Sequence, residues 1–179
     1  ALASIHEISP ESEPALAIER GPFSLAKDPM ESSLAFLDMM FQELPGSRPA
    51  SEYIFRWLSQ NRPDTDRVAL VHGDFRTGNF MVSDTELLGI LDWEFAHWGD
   101  PIEDIGWFCV RDWRFGRISR QAGGLTTRDT FCDLYAAASG HFVTPVRLHW
   151  WEVYGNLRWA LSAAIQGERY RAGGDFELL

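Results

Sequence analysis

The chain reads as a mainly helical α+β fold in which one small β-hairpin interrupts a series of helices. Three observations lead there. Apolar residues recur at three- and four-residue spacing along most of the 179 residues. Two capping signatures, Asp28-Pro29-Met30-Glu31 and Asp100-Pro101-Ile102-Glu103, each precede such a stretch. One segment breaks the helical period: Phe80-Met81-Val82 and Leu87-Leu88-Gly89-Ile90-Leu91 are short apolar runs split by Ser83-Asp84-Thr85-Glu86, a hairpin with a four-residue loop.

Taken in order, the first capping signature starts a helix that buries Leu34, Leu37, Phe41 and Leu44 and stops at Pro45-Gly46. A second helix is predicted from about Pro49 to Gln60, burying Tyr53, Ile54, Trp57 and Leu58. Val68-Ala69-Leu70-Val71 is strand-like, and the hairpin follows. The second signature opens a helix through Ile105, Trp107 and Phe108, with Asp100 and Glu103 as capping residues. Val110 to Gly124, rich in Arg and Gly, reads as a mobile surface loop. Thr126 or Thr127 then opens a helix through Phe131, Leu134 and Tyr135. Thr144-Pro145 opens a long one through Val146, Trp150, Val153, Leu157, Leu161 and Ile165. Gly173-Gly174 breaks the tail, which is expected to fray.

No repeat, low-complexity tract or linker divides the chain, so residues 1–179 are read as one domain with a real core. The net charge of −10 argues against nucleic acid and anionic membrane surfaces, since both reward Lys and Arg. It suits a cationic small molecule, although acidic proteins also take neutral ones. With no apolar run of about 20 residues and no signal-peptide pattern, a soluble, cytoplasmic protein is expected. Cys109 and Cys132 have no metal-site spacing and read as reduced thiols.

The chemistry is concentrated between Leu70 and Trp107. His72-Gly73-Asp74 follows the strand-like run, Asn79 stands just before the hairpin, and Asp92-Trp93-Glu94 stands just after it. A hairpin brings its two ends together, so Asn79 and Asp92 are predicted to converge as oxygen donors. An amide oxygen plus a carboxylate suits Mg²⁺, which takes hard oxygen ligands and keeps water and phosphate for the rest. Asp74 lies on the loop entering the hairpin, free to face a substrate hydroxyl, with Gly78 permitting unusual backbone angles there. Arg76 is placed to offer a cation to a transferring phosphoryl group. A lone Asp or Asn in a loop is usually a turn residue; the order of these three around a hairpin is what carries the functional reading. His72 reads as a hydrogen-bonder that holds the loop, and Asp104 as either a loop brace or a surface carboxylate. Glu94 is open between metal or substrate assistance and a salt bridge. Trp57, Trp107 and Trp150 are core by helical period, while Trp93, Trp98 and Trp113 stand near the site.

This stretch resembles the catalytic core of the aminoglycoside phosphotransferase and choline kinase family, kinase-like phosphotransferases with H-G-D-x-x-x-x-N in place of H-R-D-x-x-x-x-N. The likeness continues through Leu91-Asp92-Trp93-Glu94 and Gly99-Asp100-Pro101 to Asp104 and Trp107. It is especially similar to the phosphotransferase domains associated with acyl-CoA dehydrogenases. The resemblance implies a protein-kinase-like C-terminal lobe, with Asp74 as base, Asn79 and Asp92 as magnesium and nucleotide ligands, Mg²⁺ and ATP as cofactors, and a small-molecule hydroxyl as acceptor. It implies that Arg76 stands where protein kinases place a phosphate-contacting Lys, and that Asp104 braces the catalytic loop.

Such kinases also need an N-terminal lobe with a glycine-rich turn and a strand Lys. No G-x-G-x-x-G occurs here, and the only early Lys, Lys27, reads as a loop residue. Ala1 to Ile8 resembles the helix that follows the inter-lobe linker. The chain is therefore expected to be a C-terminal lobe whose partner is the N-terminal lobe of the same enzyme, with little activity alone. Arg111, Arg114 and Arg117 read as a solvated face or an anion site. Two other classes stay open: a metal-dependent phosphohydrolase, which would need further His and Asp ligands when His6, His141 and His149 read as far from the motif, and a non-catalytic pseudokinase or interaction module.

Overall fold

The structure, a computed structural model, describes residues 1–13, 16 and 28–173. Lys27 and Gly174 lie outside the described residues. Among the described residues six helices and four short strands follow one another: α1 (Leu2–Ile5), α2 (Pro29–Gln42), α3 (Pro49–Gln60), β1 (Ala69–Val71), β2 (Phe80–Val82), β3 (Leu87–Ile90), β4 (His97–Gly99), α4 (Ile102–Phe108), α5 (Arg128–Ser139) and α6 (Pro145–Arg171). The fold is mainly helical α+β, as the periodicity indicated.

Capping behaves as the sequence suggests. The Asp28 carboxylate accepts the Met30 N–H at 2.9 Å ahead of α2, and the Thr127 hydroxyl accepts the Thr130 N–H at 3.2 Å ahead of α5. Asp100 Oδ1 accepts the Ile102 N–H at 2.9 Å ahead of α4. The hairpin β2–β3 forms with its loop at 83–86 and an irregularity between Met81 and Val82. A second antiparallel pair joins β1 to β4, with Val71 opposite His97. At three residues β4 is too short to show any alternation in sequence, so only its pairing reveals it.

The long helix α6 is the spine against which α2, α3 and α4 pack, burying Trp150, Trp151, Tyr154, Leu157 and Leu161. Tryptophan N–H groups in this core find partners: Trp150 Nε1 donates to the Leu58 carbonyl at 3.0 Å, tying α6 to the end of α3. Three apolar residues assigned to the core face solvent instead. Tyr53 is 72% exposed because it sits about 140° around α3 from the fully buried Leu58. Val146 and Leu134 are likewise exposed, one step off the stripes of α6 and α5 that carry Arg147 and Tyr135 inward. The segment expected to be a surface loop also has buried parts: a 3₁₀ turn at Arg111–Arg114 buries Trp113, and Ala122 is fully enclosed.

The crossing of α4 on α6 is unusually close. A Cβ on Gly106 would lie 2.6 Å from the Trp151 Cβ and 2.7 Å from its backbone carbon. Gly106→Ala should gain about 1 kcal/mol in helix propensity and lose about 1–3 kcal/mol to overpacking against backbone that cannot yield. The expected net result is a lower urea midpoint at unchanged m-value. An equal or higher midpoint would show that the helices have room to separate.

Candidate active site

The loop leaving β1 carries His72, Gly73 and Asp74, and α4 holds its backbone. The buried carboxylate of Asp104 accepts the N–H of His72 at 2.8 Å and that of Gly73 at 2.9 Å. His6 Nε2 stands 3.1 Å from the same carboxylate, and its Nδ1 stands 2.9 Å from the Tyr135 hydroxyl. A His6 proton on Nε2 satisfies both contacts, with the Tyr135 O–H donating to Nδ1. Burial pushes the Tyr135 pKa up to about 12, which keeps that O–H in place. Burial alone would raise the Asp104 pKa; the hydrogen bonds from His6 and from the loop N–H outweigh it, and the carboxyl is held below its ordinary value. His6, read from sequence as remote, is thus directly behind the motif.

Gly73 is required twice over: its φ is +79°, and a Cβ there would lie 2.5 Å from the Phe95 carbonyl oxygen. Gly78, which the sequence marked for special backbone angles, is not among the positive-φ glycines and sits in a 3₁₀ turn at 77–79. Arg158, from the middle of α6, closes the loop from the other side. Its Nη1 donates to the Gly73 carbonyl at 2.7 Å while the guanidinium lies over the rings of Trp107 and Phe95. His72 Nδ1 accepts the Asp74 N–H at 3.1 Å, its Nε2 is 3.0 Å from the Leu91 carbonyl, and its ring packs on Trp93.

Asp74 is almost enclosed, and both of its carboxylate oxygens are engaged. Oδ1 accepts the indole N–H of Trp107 at 2.8 Å, and Oδ2 accepts Asn79 Nδ2 at 2.7 Å. Arg76 Nε spans the two oxygens at 3.3 and 3.1 Å, and its guanidinium rests on the Trp113 ring. Asn79 Nδ2 also donates to the Asp74 carbonyl, which leaves Oδ1 of that amide as its oxygen donor. The hairpin register pairs Phe80 with Ile90, and the Leu91 N–H donates to the Asn79 carbonyl at 2.8 Å. Leu91 therefore faces Asn79, and Asp92 lies one residue beyond the expected meeting point. Asp92 is exposed, with φ +67°, a region uncommon for residues other than glycine. Glu94 is also exposed and forms no ion pair among the described residues.

Two residues read as caps do more. Asp100 is fully buried and receives Arg147 of α6 at 2.8 and 2.7 Å together with Trp151 Nε1 at 2.8 Å. Glu103 is not a solvent-facing cap; its buried carboxylate meets His97 Nε2 at 3.3 Å, with Arg158 Nη1 at 3.9 Å. Burial would lower the His97 pKa, but the charge and hydrogen bond of Glu103 and the Phe95 carbonyl at Nδ1 outweigh it, and the imidazole is raised above its ordinary value. Sequence reasoning missed Arg147, Arg158 and His97. Two arginines on the apolar stripe of a long helix were the available signal, because buried cations demand partners. Of the arginines near 111–117, Arg114 donates to the Cys109 carbonyl and Arg117 to the Gly124 carbonyl, so two of the three tie their own segment together.

Comparison with known proteins follows this geometry. Residues 1–141 match the family model of the phosphotransferase enzyme family, and the chain belongs to that family. Its fold is the kinase-like phosphotransferase fold. A Ralstonia eutropha protein provisionally assigned as an aminoglycoside phosphotransferase superposes with a TM-score of 0.75 at 22% identity, over 98% of this chain and 55% of that one. Macrolide 2'-phosphotransferase type I gives 0.67 at 17% identity, over 98% and 52%. Among curated sequences, acyl-CoA dehydrogenase family member 10 of Mus musculus is 42% identical over 66 residues, which is 36% of this chain and 6% of that protein. The chain spans about half the length of those solved structures and a small part of that dehydrogenase. No helix among the described residues is long and apolar enough to cross a membrane.

Two outcomes follow from the loop's supports. Asp104→Ala leaves two N–H groups and His6 unpaired in the interior and should cost about 3–5 kcal/mol in chemical denaturation; a loss below about 1 kcal/mol would show the brace to be dispensable. Because the His97 pKa is raised on folding, its contribution is fully present below about pH 6.5 and is lost as pH rises through the folded value. Wild-type stability should therefore decline as pH rises over that interval, and His97→Gln should flatten the decline. Parallel curves for the two proteins would contradict the pairing with Glu103.

Proposed function

We propose that this lobe transfers a phosphoryl group from a nucleotide such as ATP to the hydroxyl of a small molecule, with Asp74 as the base. The observation that carries the reading is the meeting of Asp74, Asn79 and Arg76 within hydrogen-bond distance at one loop. Phosphoryl transfer asks little of a protein beyond a proton acceptor, oxygen donors for a metal and charge neutralisation, and these three side chains offer one of each.

The donor set fits Mg²⁺. Asn79 Oδ1 is left over once its amide nitrogen is committed to Asp74, and the Asp92 carboxylate is exposed without an ion pair among the described residues. Two hard oxygens are what Mg²⁺ usually takes from protein when phosphates supply others. Magnesium-bound nucleotide would supply the phosphoryl group and offset its charge. Asp74 would accept the hydroxyl proton at a carboxylate oxygen, and Arg76, with its side chain 31% exposed, would turn its free N–H groups toward the phosphoryl oxygens. Among the described residues no group of three or more His, Cys, Asp or Glu could hold a metal, which disfavours a two-metal hydrolase.

We further propose that residues 1–179 act as a C-terminal catalytic lobe beneath a nucleotide-covering N-terminal lobe. Supporting this are the half-length match to the solved relatives and the exposed apolar residues Met81, Val82, Leu87 and Leu88 on the hairpin. The acceptor class is drawn two ways. The net charge favours an amine-bearing alcohol; the likeness to acyl-CoA dehydrogenase family members favours a hydroxyacyl thioester.

The test uses an enzyme carrying both lobes, given Mg-ATP and panels of amino sugars, amino alcohols and hydroxyacyl thioesters. Acceptor-dependent ADP formation is expected from one panel. Asp74→Asn should lower it by at least about 100-fold with nucleotide affinity nearly unchanged. Free phosphate release independent of any alcohol would instead establish a hydrolase. The isolated 179-residue chain should fold yet turn over little; robust magnesium-dependent turnover by it would place nucleotide binding within this lobe.

A further inference from the structure

Trp107 looks like a core residue by helical period, yet it is the side chain in α4 that reaches the reacting carboxylate. Resting on the phosphotransferase reading above, we propose that Trp107 is a positioning residue that fixes the plane of the Asp74 carboxylate. An aspartate's terminal torsion is soft and roughly two-fold, so a carboxylate held by one oxygen can still swing. Here each oxygen has its own buried, neutral donor: Trp107 Nε1 at 2.8 Å on Oδ1 and Asn79 Nδ2 at 2.7 Å on Oδ2. Both residues are nearly inaccessible, at 4% and 6% exposure. Arg76 is the remaining donor and is partly exposed, so the solvent side is where a partner can exchange.

Neutral donors suit this task. Arg76 already brings one cation to this carboxylate; a second, in the place of Trp107, would orient it but would further weaken the charge a base needs to attract a proton. The indole N–H aims without neutralising. Its own position is rigid, because the ring is packed against Trp113 and covered by the Arg158 guanidinium at 4.4 Å. Trp107 follows Asp104 by three residues, so both project from the same side of α4. One helix thereby holds the catalytic loop by its backbone and its base by the side chain.

The decisive variant is Trp107→Phe, which keeps an aromatic ring and removes the donor. In the two-lobed enzyme, with Mg-ATP and the alcohol giving the highest turnover in the panels above, kcat should fall about 10- to 100-fold while the KM for ATP stays within about twofold. Trp159, whose ring packs on Trp113 at 4.7 Å and which makes no hydrogen bond to Asp74, supplies the packing control: Trp159→Phe should leave kcat unchanged. A spectroscopic arm needs no acceptor: the Trp107 indole proton, assigned by its loss in Trp107→Phe, should move upfield in Asp74→Ala as its carboxylate partner disappears. Unchanged kcat in Trp107→Phe, an equal fall in Trp159→Phe, or an indole signal indifferent to Asp74→Ala would each overturn the assignment. Asp74→Asn, run alongside, separates the cases: if it retains turnover, the base itself is misassigned and the phosphotransferase reading fails first.

Discussion

The site depends on the start of one short helix, where three carboxylates are buried. Asp100, Glu103 and Asp104 lie within five residues of one another at the start of α4, and each is almost wholly removed from water. Buried carboxylates are tolerated there only because each has a dedicated partner. Asp100 takes Arg147 and Trp151 of α6, Glu103 takes His97 of β4 with Arg158 nearby, and Asp104 takes His6 and two loop N–H groups. These pairs lock α4 to α6, to the β1–β4 pair and to the loop bearing Asp74. Their geometry is more specific than apolar packing, since a carboxylate shifted by an ångström loses its hydrogen bonds.

That arrangement explains why glycine recurs where the helices and the loop approach. Where charge pairs join α4 to α6 only Gly106 fits against Trp151, and a Cβ on Gly155 would lie 2.9 Å from a Val110 methyl. Gly73 sits against Phe95 with a backbone angle open mainly to glycine. Buried pairs of this kind are weak evidence of stability in themselves. Their value here is register: the loop has one backbone path, and Asp74 has one place to be.

Around Asp74 the same logic continues with softer groups. Trp107, Asn79 and Arg76 come from a helix, a 3₁₀ turn and the loop itself. Only Arg76 is open to solvent, so the Asp74 carboxylate is rigid behind and adaptable in front. Trp113, which the sequence placed near the site, is buried and works as the shelf beneath Arg76. Trp93 instead covers His72 and remains partly exposed.

Much of this molecule was written locally. Helix starts at Asp28, Asp100 and Thr127, the span Pro49–Gln60 and the hairpin with its loop at 83–86 follow from capping chemistry and periodicity, which act over a few residues. The order His72-Gly73-Asp74, Asn79, Asp92 likewise marked the stretch on which the proposed function rests. The partners of the buried charges were decided only by the tertiary structure. His6 meets Asp104 across 98 residues, Arg158 meets Gly73 across 85, and Arg147 meets Asp100 across 47. Nothing in a three- or four-residue period encodes such pairings; a buried arginine announces that it needs an anion, and only the folded chain says which one it finds.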